Sequence, residues 1–141
     1  MANGMFTDFR NGQLSNTSLV DFDTDDVVAM FVDHADDTPV IATDNFIDDI
    51  LSAARVPAIA SCPSLASKTI GTVAAGVVDA ADTVFTALTG DASESLIVWK
   101  DTAVESTSKL IGFWDTATGL PLTPNGGDVT VQWHASGILQ F

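Results

Sequence analysis

The stretch Leu96-Ile97-Val98-Trp99 decides the fold, because a short apolar run rich in β-branched residues is typical of a buried strand. We expect it to be the central strand of a sheet. A second apolar run, Leu110-Ile111-Gly112-Phe113-Trp114, follows a polar linker of small residues and is predicted to be its antiparallel neighbour. Residues 27–32 form a third such run between aspartates, and they too are predicted to be a buried strand.

Shorter β patterns occupy most of the chain after residue 65. Strand candidates lie at 68–73, 76–79 and 83–86, and the apolar residues of 129–133 alternate as in a half-buried strand. Ser136-Gly137 is predicted to turn the chain so that 138–141 pairs as a final hairpin strand. These features predict a mainly β protein with a small antiparallel β-sandwich or barrel-like body, formed as one domain by residues 21–141.

The pattern at 44–54 favours a single short α-helix within this β body. Asp44 is a good N-cap residue, and the apolar residues that follow fall on one stripe. Arg55 is placed near the negative end of the helix dipole, and Pro57 is expected to end the helix.

Residues 1–20 are predicted to form an extended N-terminal lead or arm. Phe6, Phe9 and Leu14 fit two alternatives, a short amphipathic turn or apolar contact points of an arm that lies on a neighbouring subunit.

The charge balance excludes several classes of partner. The 141 residues carry a formal net charge of -14, with only five Lys and Arg residues, so a nucleic-acid binder is not expected. An anionic membrane surface would repel the chain, and no apolar run is long enough to cross a bilayer. The first residues show no secretory signal pattern. Eleven of the nineteen acidic residues lie before residue 50, so the acidity belongs mainly to one region.

The sharpest acidic motif is Asp21-Phe22-Asp23-Thr24-Asp25-Asp26. Alternating aspartates can direct hard oxygen ligands towards Ca²⁺, so Asp21, Asp23 and Asp25 are weak calcium candidates. An EF-hand loop starting at Asp21 would need Gly and Glu where the chain has Asp26 and Val32, so that motif fails. The alternative is a solvated turn stabilised by Asx-type hydrogen bonds.

The sequence does not predict an enzyme, and it requires no cofactor. His34 and His134 lack further metal ligands at a defined spacing, and no nucleophile-elbow motif occurs. Cys62 is alone and is expected to be a buried, inert thiol. The three tryptophans, Trp99, Trp114 and Trp133, are expected in the core, with a sugar-binding platform or an interface as alternatives.

The order of motifs in the second half resembles that of small virion structural proteins of tailed bacteriophages. The matching motifs are Leu96-Ile97-Val98-Trp99-Lys100-Asp101-Thr102, then Lys109-Leu110-Ile111-Gly112-Phe113-Trp114-Asp115, and then Gly127-Asp128-Val129-Thr130-Val131-Gln132-Trp133 with Gly137-Ile138-Leu139. The acidic segment 21–26 and residues 65–69 also resemble that group, whereas residues 44–55 depart from it. The resemblance is carried by strand and turn patterns, chiefly from Leu65 onward.

This resemblance implies a capsid decoration or cement protein that stabilises the head by bridging capsid subunits. Under this interpretation the candidate interface residues are Phe6, Phe9, Arg10, Leu139 and Phe141. Its partners would be the major capsid protein and copies of itself, and its location would be the outer surface of the phage head after synthesis in the host cytoplasm. A neck, tail or fibre-associated virion protein is the first alternative. A small carbohydrate- or calcium-binding β module is the second.

Overall fold

The computed structural model describes residues 3–17 and 19–141. In these ranges the chain forms ten β-strands, one α-helix and four single-turn 3₁₀ segments. The helix is α1 (Thr7–Ser15), and the strands are β1 (Gly4–Met5), β2 (Val27–Val32), β3 (Arg55–Val56), β4 (Thr69–Ile70), β5 (Val77–Asp79), β6 (Thr83–Phe85), β7 (Ser95–Lys100), β8 (Leu110–Trp114), β9 (Val129–Val131) and β10 (Leu139–Gln140). The 3₁₀ segments are Ile47–Asp49, Ser52–Ala54, Ile59–Ser61 and Glu105–Thr107.

The largest sheet has five strands in the order β1-β8-β7-β2-β3, and all its neighbouring pairs are antiparallel. β7 is its central strand, and β8 pairs with it, as the sequence predicts. β2 pairs with β7 along six residues, from Val27 opposite Lys100 to Val32 opposite Ser95. All six residues of β2 are buried, which agrees with a strand covered on both faces.

Two smaller sheets complete the β body. One has three strands in the order β10-β5-β4, and the other pairs β6 with β9. The ring of Phe85 on β6 lies 4.7 Å from that of Phe31 on β2, while Val78 and Ile138 join the same apolar core. The mainly β class is therefore confirmed. Within the described residues the three sheets stay separate, which favours the sandwich-like over the barrel-like alternative.

The helix predicted at 44–54 is wrong, because this segment forms only the 3₁₀ turns Ile47–Asp49 and Ser52–Ala54. Its backbone bonds instead to the start of β8: Ile47 donates to the Ser108 carbonyl, and Leu110 donates to the Asn45 carbonyl. A helix of about eleven residues is marginal in water, so these tertiary bonds outweigh it. Arg55 does lie near backbone carbonyls of this segment, as predicted for the end of a helix. Its guanidinium donates hydrogen bonds to the carbonyl oxygens of Ile47 and Ile50.

The predicted extended lead is also wrong for the described residues 3–17, which contain β1 and α1. β1 pairs with β8, and the backbone N–H of Phe6 donates to the Ile111 carbonyl at 3.0 Å. The Phe6 and Phe9 side chains enter the main core, which makes this segment part of the folded body. The physical reason is their spacing of three residues, which puts two large apolar rings on one face of a helical turn.

The last strand has a different partner from the predicted one. Residues 138–141 do not form a hairpin with β9; β10 pairs with β5 in the three-stranded sheet. The Ile138 amide donates to the Val78 carbonyl at 2.8 Å, and the Phe141 amide donates to the Gly76 carbonyl at 2.9 Å. This longer-range pairing brings residue 141 close to α1.

Candidate interaction surface

A groove forms where α1 meets residue 141. The ring of Phe141 lies 5.7 Å from that of Phe9, at an interplanar angle of 70°, in an edge-to-face contact. Such contacts stabilise aromatic pairs beyond the area that they bury. We call this surface the Phe9–Phe141 groove; its lining includes Phe9, Gln13, Leu19, Asp21, Ile70 and Phe141, and its volume is about 440 Å³.

The helix side of the groove is held by polar contacts as well as by packing. The Gln13 side chain donates to the Val20 carbonyl at 3.0 Å and accepts from the Val20 amide at 2.7 Å. Asp8 forms an ion pair with Lys109, whose amino group also lies 4.6 Å from the centre of the Phe46 ring. Because the Lys109 side chain is buried, this ion pair ties α1 to the start of β8.

The opposite side of the groove depends on the close approach of residue 141 to Gly76. Gly76 has a φ of +73°, and a Cβ atom placed on it would lie 2.7 Å from the Phe141 carbonyl oxygen. Only glycine combines this backbone conformation with so close a contact. The position of Phe141 is therefore determined by a glycine in the turn before β5.

The rim of the groove exposes large apolar side chains. Leu19, Ile70 and Phe141 are each more than half exposed, although they flank a floor of buried Phe9 and Val20. Single exposed apolar residues are ordinary, but several around one groove mark a contact surface. The groove is consequently the best candidate interaction surface in the described part of the chain.

Both signs of charge occur near this groove. Asp21 lines it, and a hydrogen bond between the carboxyl groups of Asp21 and Asp23 lowers the pKa of Asp21 and raises the pKa of Asp23. Arg10 is exposed on α1, one helical turn before Gln13. Arg10 therefore lies beside the groove, between the lining residues Phe9 and Gln13 on α1, whereas Asp21 lines the groove itself.

The five candidate interface residues have different locations. Phe6 is fully buried, and its ring is therefore not available to a partner in this conformation. Phe9 is nearly buried and is accessible only where it lines the groove. Arg10 is exposed, Leu139 is partly buried against the core, and Phe141 is exposed on the rim. The structure thus brings Phe9 and Phe141 together across 132 residues of sequence, which no local pattern indicates.

The three calcium candidates do not converge. Asp25 forms an ion pair with Lys100 at 2.7 Å and accepts a hydrogen bond from the Asp21 amide at 2.8 Å. The Thr24 amide donates to the Asp21 carbonyl at 3.2 Å, and side-chain hydrogen bonding with Asp23 and Thr24 lowers the pKa of Asp21. These contacts match the solvated-turn alternative, because they are the short-range bonds of an Asx-type turn.

A different acidic trio was missed by sequence reasoning. One carboxylate oxygen each from Asp33, Asp36 and Asp91 lies within 4.8 Å of the others. Asp33 is buried and accepts a hydrogen bond from the Ala35 amide at 2.7 Å, whereas Asp36 and Asp91 are exposed. Exposed acidic groups often meet in this way without an ion, so the geometry alone assigns no metal to the trio.

The tryptophans divide between core and surface. Trp99 is buried on β7, and its indole N–H has no hydrogen-bond partner among the described residues. Trp114 and Trp133 are partly buried with ring centroids 5.8 Å apart and tilted by 58°, and the Trp133 indole donates to Thr83. Each of these two rings packs against the other, which leaves less flat surface for a sugar.

A second groove, of about 500 Å³, lies beside β9 and is lined by Phe31, Leu96, residues 117–120, Leu122, residues 129–132 and His134. Its polar groups include the exposed Gln132 and His134. Neither Trp114 nor Trp133 lines it, so the aromatic pair and this groove do not combine into one sugar site.

Two potentially reactive groups have structural environments. His34 Nε2 lies 2.8 Å from Ser95 Oγ, but Ser95 is fully buried on the central strand, so its hydroxyl is enclosed. Burial raises the pKa of the Cys62 thiol to about 12, which keeps it protonated near neutral pH. Since the thiolate is the nucleophilic form, this environment suppresses cysteine reactivity.

Comparisons with known proteins found no match, either to a protein-family model or to a curated protein. Among the described residues, no helix has the length and apolar character needed to span a lipid bilayer.

Proposed function

We propose that this chain is a bacteriophage virion structural protein, specifically a capsid decoration protein that stabilises the head by bridging capsid subunits. The observation that carries the proposal is the Phe9–Phe141 groove with its exposed rim of Leu19, Ile70 and Phe141. An apolar rim on a small rigid β body suits assembly, in which contacts with neighbouring subunits bury surface that the isolated chain exposes.

The charge distribution supports the same proposal. The exposed acidic residues of the first third are Asp21, Asp23, Asp26, Asp36, Asp48 and Asp49. A surface of this kind is repelled by packaged nucleic acid and attracted to basic patches on a shell, which favours attachment on the outside of a head. The partners under this proposal are the major capsid protein and further copies of this chain.

A reconstruction of the virus particle that carries the chain tests this proposal directly. We expect density for the β body on the outer surface of the head, and immunogold labelling distributed over heads. Particles lacking the protein should lose their nucleic acid at a lower temperature than complete particles. Label confined to the neck or tail would favour the alternative virion location, and absence of the chain from purified particles would refute the virion proposal.

The competing binding-module hypothesis has its own measurement. Calorimetric titration with Ca²⁺ and with a panel of glycans should give no heat if the chain acts only in assembly. Saturable heat from either ligand, together with a raised melting temperature, would favour the binding module instead.

A further inference from the structure

Arg10 has an unusual position among the cations of the chain. Arg55 forms an ion pair with Glu105, while Lys100 and Lys109 pair with Asp25 and Asp8. The guanidinium of Arg10 makes no ion pair or side-chain hydrogen bond within residues 3–17 and 19–141, and it is exposed. Leu14, which is also strongly exposed, follows it by four residues and therefore lies on the same face of α1.

The acidic side of the groove carries the opposite charge and would attract a cation. Asp21 and Asp23 are both exposed and lie two residues apart, and an opposite charge would reduce the repulsion between their carboxylates. Lys68 lowers the pKa of Asp23 from a distance, but its amino group donates to the Asp25 carbonyl and forms no ion pair with Asp21 in the described residues. An external cation would therefore be stabilised beside Asp21.

This combination of charges selects one type of occupant. A basic peptide would be attracted to Asp21 but repelled by Arg10, and an acidic peptide would meet the reverse. A second copy related by a two-fold axis would satisfy both charges, because a two-fold contact places residue i against residue j and j against i. The apolar rims of the two copies would then cover each other.

We propose that the Phe9–Phe141 groove is a two-fold contact between two copies of this chain, with Arg10 of each copy against Asp21 of the other. The inference deepens the proposed function, on which it rests for the idea of an assembly surface, by naming the partner at that surface. The net charge of -14 on each copy opposes association, so we expect a reversible dimer whose population rises with protein concentration.

The first experiment is sedimentation velocity on the full chain over a range of concentrations, at about 0.15 M salt, where the Debye length is about 8 Å. The wild-type chain should shift from one copy of 14.7 kDa towards two as its concentration rises. Leu19→Asp should weaken the dimer by about tenfold or more, because it places a charge in the covered rim. Val104→Asp is the matched control, since Val104 and Leu19 are each 54% exposed but Val104 does not line the groove.

The second experiment tests the symmetry of the contact by mixing two charge variants. Arg10→Asp alone and Asp21→Arg alone should each remain monomeric, because each places like charges opposite each other in its own dimer. Their equimolar mixture should form a heterodimer, because one charge pair then keeps its native polarity and the other is restored with reversed sign. Circular dichroism should confirm that both variants fold; if Asp21→Arg does not, Asp21→Lys replaces it.

Three results would overturn the inference. These are a wild-type chain that stays monomeric at all concentrations, a Leu19→Asp dimer as stable as that of Val104→Asp, or a mixture of folded charge variants that does not associate. If the wild-type chain is monomeric but Leu19→Asp loses binding to capsids, the groove contacts a capsid subunit and only the dimer is refuted. If the dimer forms but purified particles lack the chain, the virion proposal alone fails.

Discussion

The five-stranded sheet and the three-stranded sheet both contain isoleucine, but they differ in how far this side chain is exposed to solvent. Ile97 on β7 is fully buried, whereas Ile70 on β4 is 51% exposed. The large sheet pairs β2 with β7 along six residues, but β4 and β5 pair along only two. β7 is the central strand of its sheet and is buried along most of its length, whereas β4 is a two-residue edge strand that leaves Ile70 exposed.

This difference separates the part of the molecule that stabilises the fold from the part that is available for contacts. The large sheet contains the central strand and most of the core, including Trp99 and Phe113. The three-stranded sheet contributes Ile70 to the groove and positions Phe141 through β10. The candidate contact surface therefore lies beside the sheet in which every strand pair is only two residues long.

The strongest test of this comparison is truncation of equivalent isoleucines. Ile97→Ala should lower the free energy of unfolding by about 2–5 kcal/mol, because it leaves a cavity at the centre of the large sheet. Ile70→Ala is the matched control and should change it by less than about 0.5 kcal/mol. Urea unfolding monitored by tryptophan fluorescence measures both values. Equal losses at the two positions would contradict the division between core and contact surface.

The contribution of the Gly76–Phe141 contact to the position of Phe141 can be tested by comparing two glycines of nearly equal φ. Gly76 and Gly71 have φ values of +73° and +72°, but a Cβ atom meets the Phe141 carbonyl only at Gly76. Gly71→Ala should cost about 1–2 kcal/mol from backbone strain alone. Gly76→Ala should cost a further 1–3 kcal/mol or so by overpacking, and it should displace Phe141 from Phe9. Thermal unfolding and the aromatic NMR shifts of Phe9 provide the measurements; identical behaviour of the two variants would show that the contact is unimportant.

The attachment of α1 to the large sheet depends on a buried cation. Asp8→Ala should lower the free energy of unfolding by about 1.5–3 kcal/mol, because it leaves the buried Lys109 ammonium without its carboxylate. Glu105→Ala is the control, because Arg55 is also buried but keeps its hydrogen bonds to the Ile47 and Ile50 carbonyls, so the loss should be less than about 1 kcal/mol. Chemical denaturation distinguishes the two. A loss at Glu105 equal to that at Asp8 would show that the remaining hydrogen bonds of the buried cation do not decide the cost.

The smallest expected effect is a pH dependence of opposite sign at two carboxyl groups. Hydrogen bonding from Arg55 lowers the pKa of Glu105 below its ordinary 4.5, so its stabilisation is present above pH 4.5 and is lost as the pH falls further. Burial raises the pKa of Asp44 above its ordinary 3.8, so its contribution is present below pH 3.8 and is lost as the pH rises.

Melting temperatures of Glu105→Gln and Asp44→Asn, each compared with wild type across the acid range, measure these signs. The deficit of Glu105→Gln should shrink as the pH falls, while Asp44→Asn should gain relative to wild type as the pH rises. If both differences changed in the same direction with pH, the assigned causes would be wrong.

Local sequence patterns were sufficient for the strands of the large sheet. The apolar runs at 27–32, 96–99 and 110–114 each predict a strand without reference to the rest of the chain, because a short, continuous apolar segment is typical of a buried strand. The same is true of β9, where Val129 and Val131 are partly buried and Thr130 is exposed, in agreement with the predicted alternation.

The helix prediction at 44–54 failed because backbone hydrogen bonds with residues distant in sequence replaced the helical ones. The capping and stripe signals at 44–54 are those of a helix, yet backbone groups near Ser108 and Leu110 bond to that segment instead. The helix α1 lies in the segment predicted as a lead. Its signal was the spacing of Phe6 and Phe9, which the alternative of an amphipathic turn included.

The sequence by itself determined the β class, the central strand and its antiparallel neighbour, because those depend on short-range hydrophobic periodicity. Only the tertiary structure decided the Phe9–Phe141 contact, the Asp33, Asp36 and Asp91 trio and the location of the exposed rim. Phe9 and Phe141 are 132 positions apart in the chain, and Asp91 is 55 positions from Asp36. Their positions follow from strand pairing and from the close approach at Gly76, which no local pattern specifies.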